Sequence, residues 1–249
     1  MISRRHFEMG QTAATVLCEE RYYEAAATGM AEARQIIEAH ILQDPVFAMT
    51  LEPHEVAAEA APLVRNMAAA AGRAGVGPMA AVAGAVSQAG VAAVERAGGE
   101  YCVIDNGGDL CLLLDREQLV GLYCGDERFS HLAFRCPPRG RFGMCTSSGT
   151  VGPSISFGVA DAAIVVAEDA CLADACATRL GNEVTDTQEA TLRRAVQIVA
   201  AIKGVEGCMA IAGGRIAIKG QLPEFVEAPP SLDKVSRSRL QGQKMSGFL

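Results

Sequence analysis

Apolar and polar positions follow a helical period through most of the first hundred residues. Apolar residues there recur every three to four positions, the pattern of helices that bury one face. Asp44-Pro45 ends the first of these runs, and Pro78 opens the last after a Gly-rich turn. The sequence predicts an opening hairpin with strands at 6–9 and 15–18 around Gly10, followed by helices at about 22–43, 54–72 and 78–97.

After position 100 the apolar residues fall into short runs with a period of two, which is typical of strands. Neighbouring strands of one sheet are predicted at 101–104, 110–114, 118–123 and 131–135. A Gly/Ser/Thr-rich loop follows them. The remaining predicted elements are strands at 154–157 and 162–167, helices at 171–180 and 187–203, and a hairpin of 208–211 and 216–219.

Helices and strands therefore come in blocks, and no linker divides them. This order predicts an α+β fold with a mixed β-sheet packed against helices, in a single domain over 1–228. The segment 229–249 is basic and has little apolar content, so we expect a solvated tail there.

Composition and charge narrow the class of ligand. Half of the residues are hydrophobic and 20% are charged, which excludes a disordered chain, and the net charge of −7 has the wrong sign for a nucleic-acid partner. The long uncharged run 74–94 contains Gly, Pro, Ser and Gln, so no membrane partner is expected. A small-molecule ligand is the favoured alternative, and a homo-oligomer is left open.

The nine cysteines are odd in number and contain no Cys-x-x-Cys pair. This spacing indicates buried, reduced thiols rather than a disulfide framework or a zinc site. The charged N-terminal residues lack the apolar run of a secretory signal, so a cytoplasmic location is expected.

Three short motifs carry residues suited to nucleotide and metal chemistry. Asn106, Gly107, Gly108 and Asp109 follow an apolar strand, where two glycines let the backbone approach a ligand and Asp109 offers oxygens to a cation. The alternative is an ordinary glycine hairpin.

The second motif is a run of small residues, most of which carry a hydroxyl: Thr146, Ser147, Ser148 and Gly149. Their N–H groups and hydroxyls could surround a phosphate. The alternative is a flexible loop without a ligand.

The third motif places a carboxylate and a hydroxyl on one helical face, because Asp174 and Thr178 are four residues apart. These two hard oxygen ligands suit Mg²⁺, although an exposed Asp with a back-bonded Thr fits the same pattern.

Gly77 opens a helix whose N-terminus could hold a pyrophosphate, or it serves tight helix packing. Cys145 is a candidate nucleophile whose His partner would have to come from earlier in the chain, since no His follows position 131.

The order of a Gly/Ala helix, a strand with NGGD, a TSSG loop and a helix with ADACAT resembles the ApbE superfamily over about 77–180. Its flavin transferases split FAD and attach FMN to a Thr of a target protein, using Mg²⁺. The resemblance implies that Asp174 and Thr178 are Mg²⁺ ligands, and that the NGGD and TSSG motifs face the flavin nucleotide. The whole chain looks most like the signal-less prokaryotic branch of this superfamily.

Two positions depart from the transferase pattern. The transferases have His-x-x-Asp-Pro-x-Thr-Gly after the TSG loop, where this chain has 152–158, GPSISFG. They also have a Lys in the Gly/Ala helix, near the position of Gly84 here, whereas the first Lys of this chain is Lys203.

Three functions are therefore considered. The first is binding of a flavin (FAD or FMN) or another nucleotide diphosphate with Mg²⁺, with group transfer or hydrolysis at the pyrophosphate and Asp109 or Asp161 orienting water. The second is a flavin- or nucleotide-binding protein without catalysis. The third is an enzyme of sulfur or amino-acid metabolism that uses Cys145.

Overall fold

The computed structural model describes residues 1–122, 124–125, 127–129, 131–148 and 158–227. Within these ranges it contains eleven strands and six helices. The strands are β1 (Ile2–Met9), β2 (Thr12–Glu19), β3 (Cys102–Asn106), β4 (Asp109–Leu114), β5 (Gln118–Gly121), β6 (Leu132–Cys136), β7 (Arg139–Ser147), β8 (Ala162–Ala167), β9 (Val205–Ala212), β10 (Arg215–Gly220) and β11 (Glu224–Glu227). The helices are α1 (Tyr23–Gln43), α2 (Pro45–Met49), α3 (Pro62–Ala74), α4 (Val82–Arg96), α5 (Ala170–Glu183) and α6 (Glu189–Ala200).

Eight strands form one sheet in the order β1-β2-β3-β4-β7-β8-β9-β10. The α+β single domain is confirmed, but the mixed sheet was wrong, because every pairing among these strands is antiparallel. Tight turns between β1 and β2, β3 and β4, and β9 and β10 return the chain beside itself, which produces antiparallel neighbours.

A second sheet of three strands has the order β11-β6-β5 and is also antiparallel. The prediction of one continuous sheet through 118–135 was therefore wrong, since β5 and β6 leave the main sheet after β4. Phe134 on β6 and Phe225 on β11 hold this small sheet together, with ring centroids 4.6 Å apart.

The main sheet buries both faces, and alternate residues of its strands serve the two layers. On one face Ile104, Cys111 and Val165 pack against the helices. On the other face Leu112 and Ile164 join the apolar residues of the three-stranded sheet. The domain is thus a helical layer, a central sheet and a small second sheet.

The helices agree with the predicted order but differ in their bounds. The predicted helix at 54–72 begins only at Pro62, whose ring suits the first helical turn, and α2 was not predicted. The predicted helix at 78–97 starts with a 3-10 turn over Pro78–Ala81 and continues as α4.

Strand β7 was missed, because its sequence RGRFGMCTS contains two glycines and two arginines and resembles a loop. Gly143 lies within it, where α5 approaches so closely that a Cβ would stand 2.4 Å from the Cα of Ala170. The glycine therefore serves packing and does not indicate a turn. The predicted strand at 154–157 and the predicted tail at 229–249 lie outside the described residues.

In the part of the chain that the structure describes, no single helix is both long and apolar enough to cross a membrane. The pair formed by Pro62–Ala74 and Pro78–Arg96 reaches that length and composition together, with a bend of 105° between its members.

Candidate functional site

The Asn-Gly-Gly-Asp turn joins β3 to β4 in the middle of the main sheet. Gly107 and Gly108 have φ values of 75° and 106°, which glycine adopts far more easily than any other residue. The Asp105 carboxylate, buried at 1% exposure, accepts a hydrogen bond of 2.8 Å from the Gly108 N–H. The turn is therefore fixed from inside, and a Cβ on Gly107 would meet nothing within 4 Å, so its outer side is open.

Helix α4 supports this turn from behind. The Asn106 amide donates to the Ala83 carbonyl at 3.4 Å. The hydroxyl of Ser87, which is fully buried, lies 2.9 Å from the Ala83 carbonyl oxygen and 3.1 Å from that of Asp109. The Gly/Ala helix predicted from sequence thus holds the turn through backbone carbonyls.

Asp109 begins β4 and pairs with Cys145 of β7 in the ladder. Burial, followed by the charges of Asp174 and Asp105, raises the pKa of the Asp109 carboxyl well above its ordinary value. Hydrogen bonds from the Thr146 N–H and the Cys145 side chain lower it to a smaller extent. The surroundings of Asp109 therefore disfavour its ionised form on balance.

Asp174 lies on α5 and meets this region across the α4–α5 contact. Its carboxylate accepts a hydrogen bond of 2.8 Å from the Gly84 N–H, and its residue is 8% exposed. Burial raises its pKa to about 7, against the lowering effect of the Gly84 and Ala83 backbone hydrogen bonds. The structure brings Asp109 and Asp174 close enough for Asp174 to shift the pKa of Asp109.

Thr178 follows Asp174 by one turn of α5 and is half-buried, in accordance with the predicted common face. Within the described ranges, no three His, Cys, Asp or Glu side chains are arranged to hold a metal ion by themselves. A cation at Asp109 and Asp174 would therefore need further oxygens, from the Thr178 hydroxyl, water or a ligand phosphate.

The TSSG motif was predicted as a loop, but its first two residues belong to β7. Thr146 donates its N–H to the Gly108 carbonyl at 3.1 Å, which joins this motif directly to the NGGD turn. Ser147 is 5% exposed, and its buried Oγ has no hydrogen-bond partner in the part of the chain that the structure describes. Ser148 follows the strand and is also buried, whereas Gly149 lies outside the described residues.

The glycines of the neighbouring helix are explained by packing. A Cβ on Gly77 would stand 2.0 Å from the Thr50 carbonyl oxygen, and a Cβ on Gly84 would stand 2.2 Å from that of Ala170. Gly77 is buried, and the 3-10 turn that it opens has four residues, so close chain packing accounts for it without a ligand.

Two other features lie elsewhere. Asp161 directly precedes β8, and its carboxylate accepts a hydrogen bond of 2.9 Å from the Gly213 N–H in the β9–β10 turn. An open groove of about 330 Å³ lies between α6 and β10, and none of the predicted site residues line it. The predicted residues of the NGGD turn, the end of β7 and helix α5 gather instead where β3, β4, β7, α4 and α5 meet, whereas Asp161 and Gly77 lie apart.

A family model described as "AbpE bacteria" matches residues 2–202 of this chain. The chain belongs to this family. Among similar proteins, a "UPF0280 protein" from Methanocella arvoryzae is 43% identical over 232 residues, 93% of this chain and 94% of that protein. Another, from Methanosphaerula palustris, is 46% identical and covers 90% of this chain and 94% of its own length.

Solved structures of flavin transferases share the fold of this AbpE-family chain. A mutant of the flavin transferase ApbE from Vibrio cholerae matches with a TM-score of 0.53 and 9% identity, over 88% of this chain and 97% of that one. The apo flavinyl transferase ApbE from Pseudomonas stutzeri matches with a TM-score of 0.52 and 11% identity, over 88% and 94%. The resemblance to the ApbE superfamily is confirmed, and at these identities the likeness concerns the fold.

In this AbpE-family member, the supporting residues were not predicted from sequence. The Ser87 hydroxyl on α4 lies 3.1 Å from the Asp109 carbonyl oxygen on β4. The Gln88 side chain accepts a hydrogen bond of 2.8 Å from the Ala170 N–H at the start of α5. The available signal was that these two are the polar residues in an otherwise Gly/Ala/Val stretch from 80 to 94. A polar side chain inside an apolar helix needs a partner, and here the partners are the two elements that carry Asp109 and Asp174.

Cys145 has an environment unlike that of a nucleophilic thiol. It is fully buried, and its Sγ lies 3.6 Å from the Ala170 carbonyl oxygen and 3.9 Å from that of Leu110. Burial and the charges of Asp109 and Asp174 raise its pKa well above the ordinary value. Reactive cysteines need the opposite conditions, so these contacts argue against the predicted catalytic role.

We expect Cys145 to resist alkylation in the folded protein. Iodoacetamide at pH 8 should modify it no faster than Cys171, a second buried thiol with a raised pKa, and in urea both should react at once. Peptide mass spectrometry measures both rates. Modification of Cys145 before Cys171 in the native protein would restore the nucleophile hypothesis.

Proposed function

We propose that this protein binds a nucleotide diphosphate, with FAD as the leading candidate, together with Mg²⁺ held by Asp109, Asp174 and Thr178. The observation that carries the proposal is the pair of neighbouring carboxyls formed by half-buried Asp109 on β4 and buried Asp174 on α5. Burial and the nearby carboxylates Asp174 and Asp105 disfavour the ionised form of Asp109. A divalent cation relieves both penalties, and carboxylate and hydroxyl oxygens are the ligands that Mg²⁺ prefers.

The turn and the end of β7 support a phosphate or ribose ligand next to this pair. Gly107 leaves open space outside the turn, and the Ser147 hydroxyl is a buried hydrogen-bonding group without a partner among the described residues. Buried polar groups are normally satisfied, so a ligand oxygen is a reasonable partner for this one. The Thr146–Gly108 hydrogen bond keeps the two motifs at a fixed separation.

The same arrangement supports group transfer or hydrolysis at the pyrophosphate as the reaction of this site. Bound Mg²⁺ would supply charge stabilisation at the phosphate oxygens. The protein would contribute position: Asp174 is held by Gly84, Asp109 by the ladder with β7, and the turn by Asp105. Hydrolysis of FAD would add water across the P–O–P bridge and release FMN and AMP, whereas transfer would join the FMN phosphate to a Thr hydroxyl as an ester and release AMP.

Isothermal titration of FAD, FMN and ADP with and without Mg²⁺ tests the proposal. We expect micromolar, Mg²⁺-dependent binding of FAD, and tighter binding at pH 8 than at pH 6, because the metal must displace protons from carboxyls with raised pKa values. FMN and ADP separate the two halves of the ligand. No binding of any of the three nucleotides with Mg²⁺ contradicts the proposal.

Chromatography of the FAD mixture then separates the two remaining functions. Appearance of FMN and AMP, or of flavin attached to a Thr-containing acceptor, supports an enzyme. Bound FAD that stays intact over hours supports the non-catalytic binding protein.

A further inference from the structure

Two thiols lie side by side at one end of the main sheet. Cys18 near the end of β2 and Cys102 at the start of β3 are directly opposite each other in the antiparallel register. Both are reduced and buried, at 1% and 0% exposure. Opposite residues of antiparallel strands have Cβ atoms about 4.5–5.5 Å apart on the same face, which brings these side chains into contact.

The two thiols differ in their tendency to ionise. A hydrogen bond from the Cys102 side chain lowers the pKa of Cys18, and Arg5 lowers it further, against burial and the charges of Glu20 and Glu19. The same hydrogen bond, together with burial, raises the pKa of Cys102 well above its ordinary value. The pair therefore contains one sulfur suited to attack and one that keeps its proton.

A third thiol, that of Cys111, is less well placed to form a bond with Cys102. Cys111 of β4 lies opposite Ile104, while Cys102 lies opposite Leu113, so Cys111 and Cys102 are offset by two residues across the β3–β4 ladder. Burial also raises the pKa of Cys111. The strand register and the pKa directions therefore both favour Cys18 over Cys111 as the bonding partner of Cys102.

We propose that Cys18 and Cys102 are a modification site, a dithiol that a hydroperoxide converts into a cross-strand disulfide. The Cys18 thiolate attacks the O–O bond of hydrogen peroxide, which oxidises the sulfur to a sulfenic acid and releases hydroxide, protonated to water. The Cys102 thiol then attacks that sulfur, the S–S bond forms, the S–O bond breaks, and the proton of Cys102 leaves with the hydroxyl as a second water. A dithiol reductant reverses the bond by exchange.

The pair lies at the end of the β1–β2 hairpin, and an oxidant reaches it through local opening of the fold there. Cys18 is followed at once by the polar Glu19 and Glu20, at the open end of the hairpin where the Glu20 N–H donates to the Met1 carbonyl at 3.3 Å. Both thiols belong to the apolar cluster that faces the helices, so this end of the sheet must part locally from the helical layer before Cys18 is exposed. Reaction slower than that of an exposed thiol is expected.

The test counts thiols in the full chain after exposure to hydrogen peroxide. The protein is treated while folded, quenched, denatured and alkylated, and peptides are mapped by mass spectrometry before and after dithiothreitol. We expect two of the nine thiols to become unreactive, one cross-linked peptide pair containing Cys18 and Cys102, and recovery of all nine on reduction.

Variants identify the pair. Cys18→Ala and Cys102→Ala should form no disulfide, whereas Cys136→Ala should behave like the wild type, because the Cys136 thiol is buried in the second sheet, away from this pair. If a variant fails to fold, the wild-type peptide map decides alone. Nine reactive thiols after peroxide, or a bond that joins any other two cysteines, overturns the proposal.

Discussion

Replacing Asp174 with Asn should weaken Mg²⁺-dependent FAD binding about a hundredfold or more, the scale expected when a metal site loses a ligand or its support. The amide is nearly isosteric and its oxygen still accepts the Gly84 N–H, so the contact between α4 and α5 is retained. The negative charge is lost, and with it the attraction for the cation. Calorimetric titration with and without Mg²⁺ measures the change.

The stability of this variant provides the control. The pKa of Asp174 is about 7 in the folded protein against 3.8 ordinarily, so between pH 4 and pH 7 the folded state holds a proton that the unfolded state has lost. The free energy of unfolding of the wild type should therefore fall over that range, and Asp174→Asn should lack this contribution. Urea unfolding at pH 5 and pH 7.5 checks the sign. Unchanged FAD affinity in a folded Asp174→Asn protein would remove Asp174 from the site.

Replacing Gly84 with Ala should destabilise the domain by about 1–3 kcal/mol, the usual cost of overpacking a close contact. The added Cβ would stand 2.2 Å from the Ala170 carbonyl oxygen and 2.9 Å from the Asp174 Cβ, so α4 and α5 must move apart. The hydrogen bond from Gly84 to Asp174 would lengthen, and nucleotide affinity should fall together with stability. Urea denaturation and the FAD titration measure the two effects.

Gly72→Ala is the matched control for this prediction. Gly72 lies in α3, and a Cβ there would meet nothing within 4 Å. Exchange of Gly for Ala in a helix without a clash should stabilise by about 0.5–1 kcal/mol. If both alanines changed the free energy of unfolding in the same direction, close packing of α4 on α5 would not be the reason for Gly84.

The sequence was sufficient to predict the helices and strands with a clear apolar period and to single out the three motifs. It was not sufficient to predict which other residues these elements and motifs contact. Helix α1 and strand β8 follow from spacing and apolar runs, because burial imposes those patterns locally. Strand β7 could not be predicted from its own residues. Gly143 is required there because Ala170 of α5, 27 residues further along the chain, packs closely against it. The burial of Cys145 likewise depends on contacts with β4 and α5, which local sequence does not contain.

Similar limits apply to the candidate metal site. Asp174 and Thr178 were predicted from their spacing on one helix, whereas the neighbourhood of Asp109 and Asp174 depends on how β4 meets α5 in the folded core. The role of Gly84 as hydrogen-bond donor to Asp174 is a backbone property, and no side-chain pattern signals it.

The second sheet has a consequence for biosynthesis. Its outer strand β11 pairs with β6, about ninety residues earlier, and Phe225 completes the stack on Phe134. Until Phe225 has been synthesised, the apolar face that includes Leu112 and Ile164 is only partly buried. The nascent chain therefore exposes an aggregation-prone hydrophobic surface. Chaperone binding during translation should therefore concentrate on this face, and ribosome-bound chains that stop before β11 should be its preferred clients.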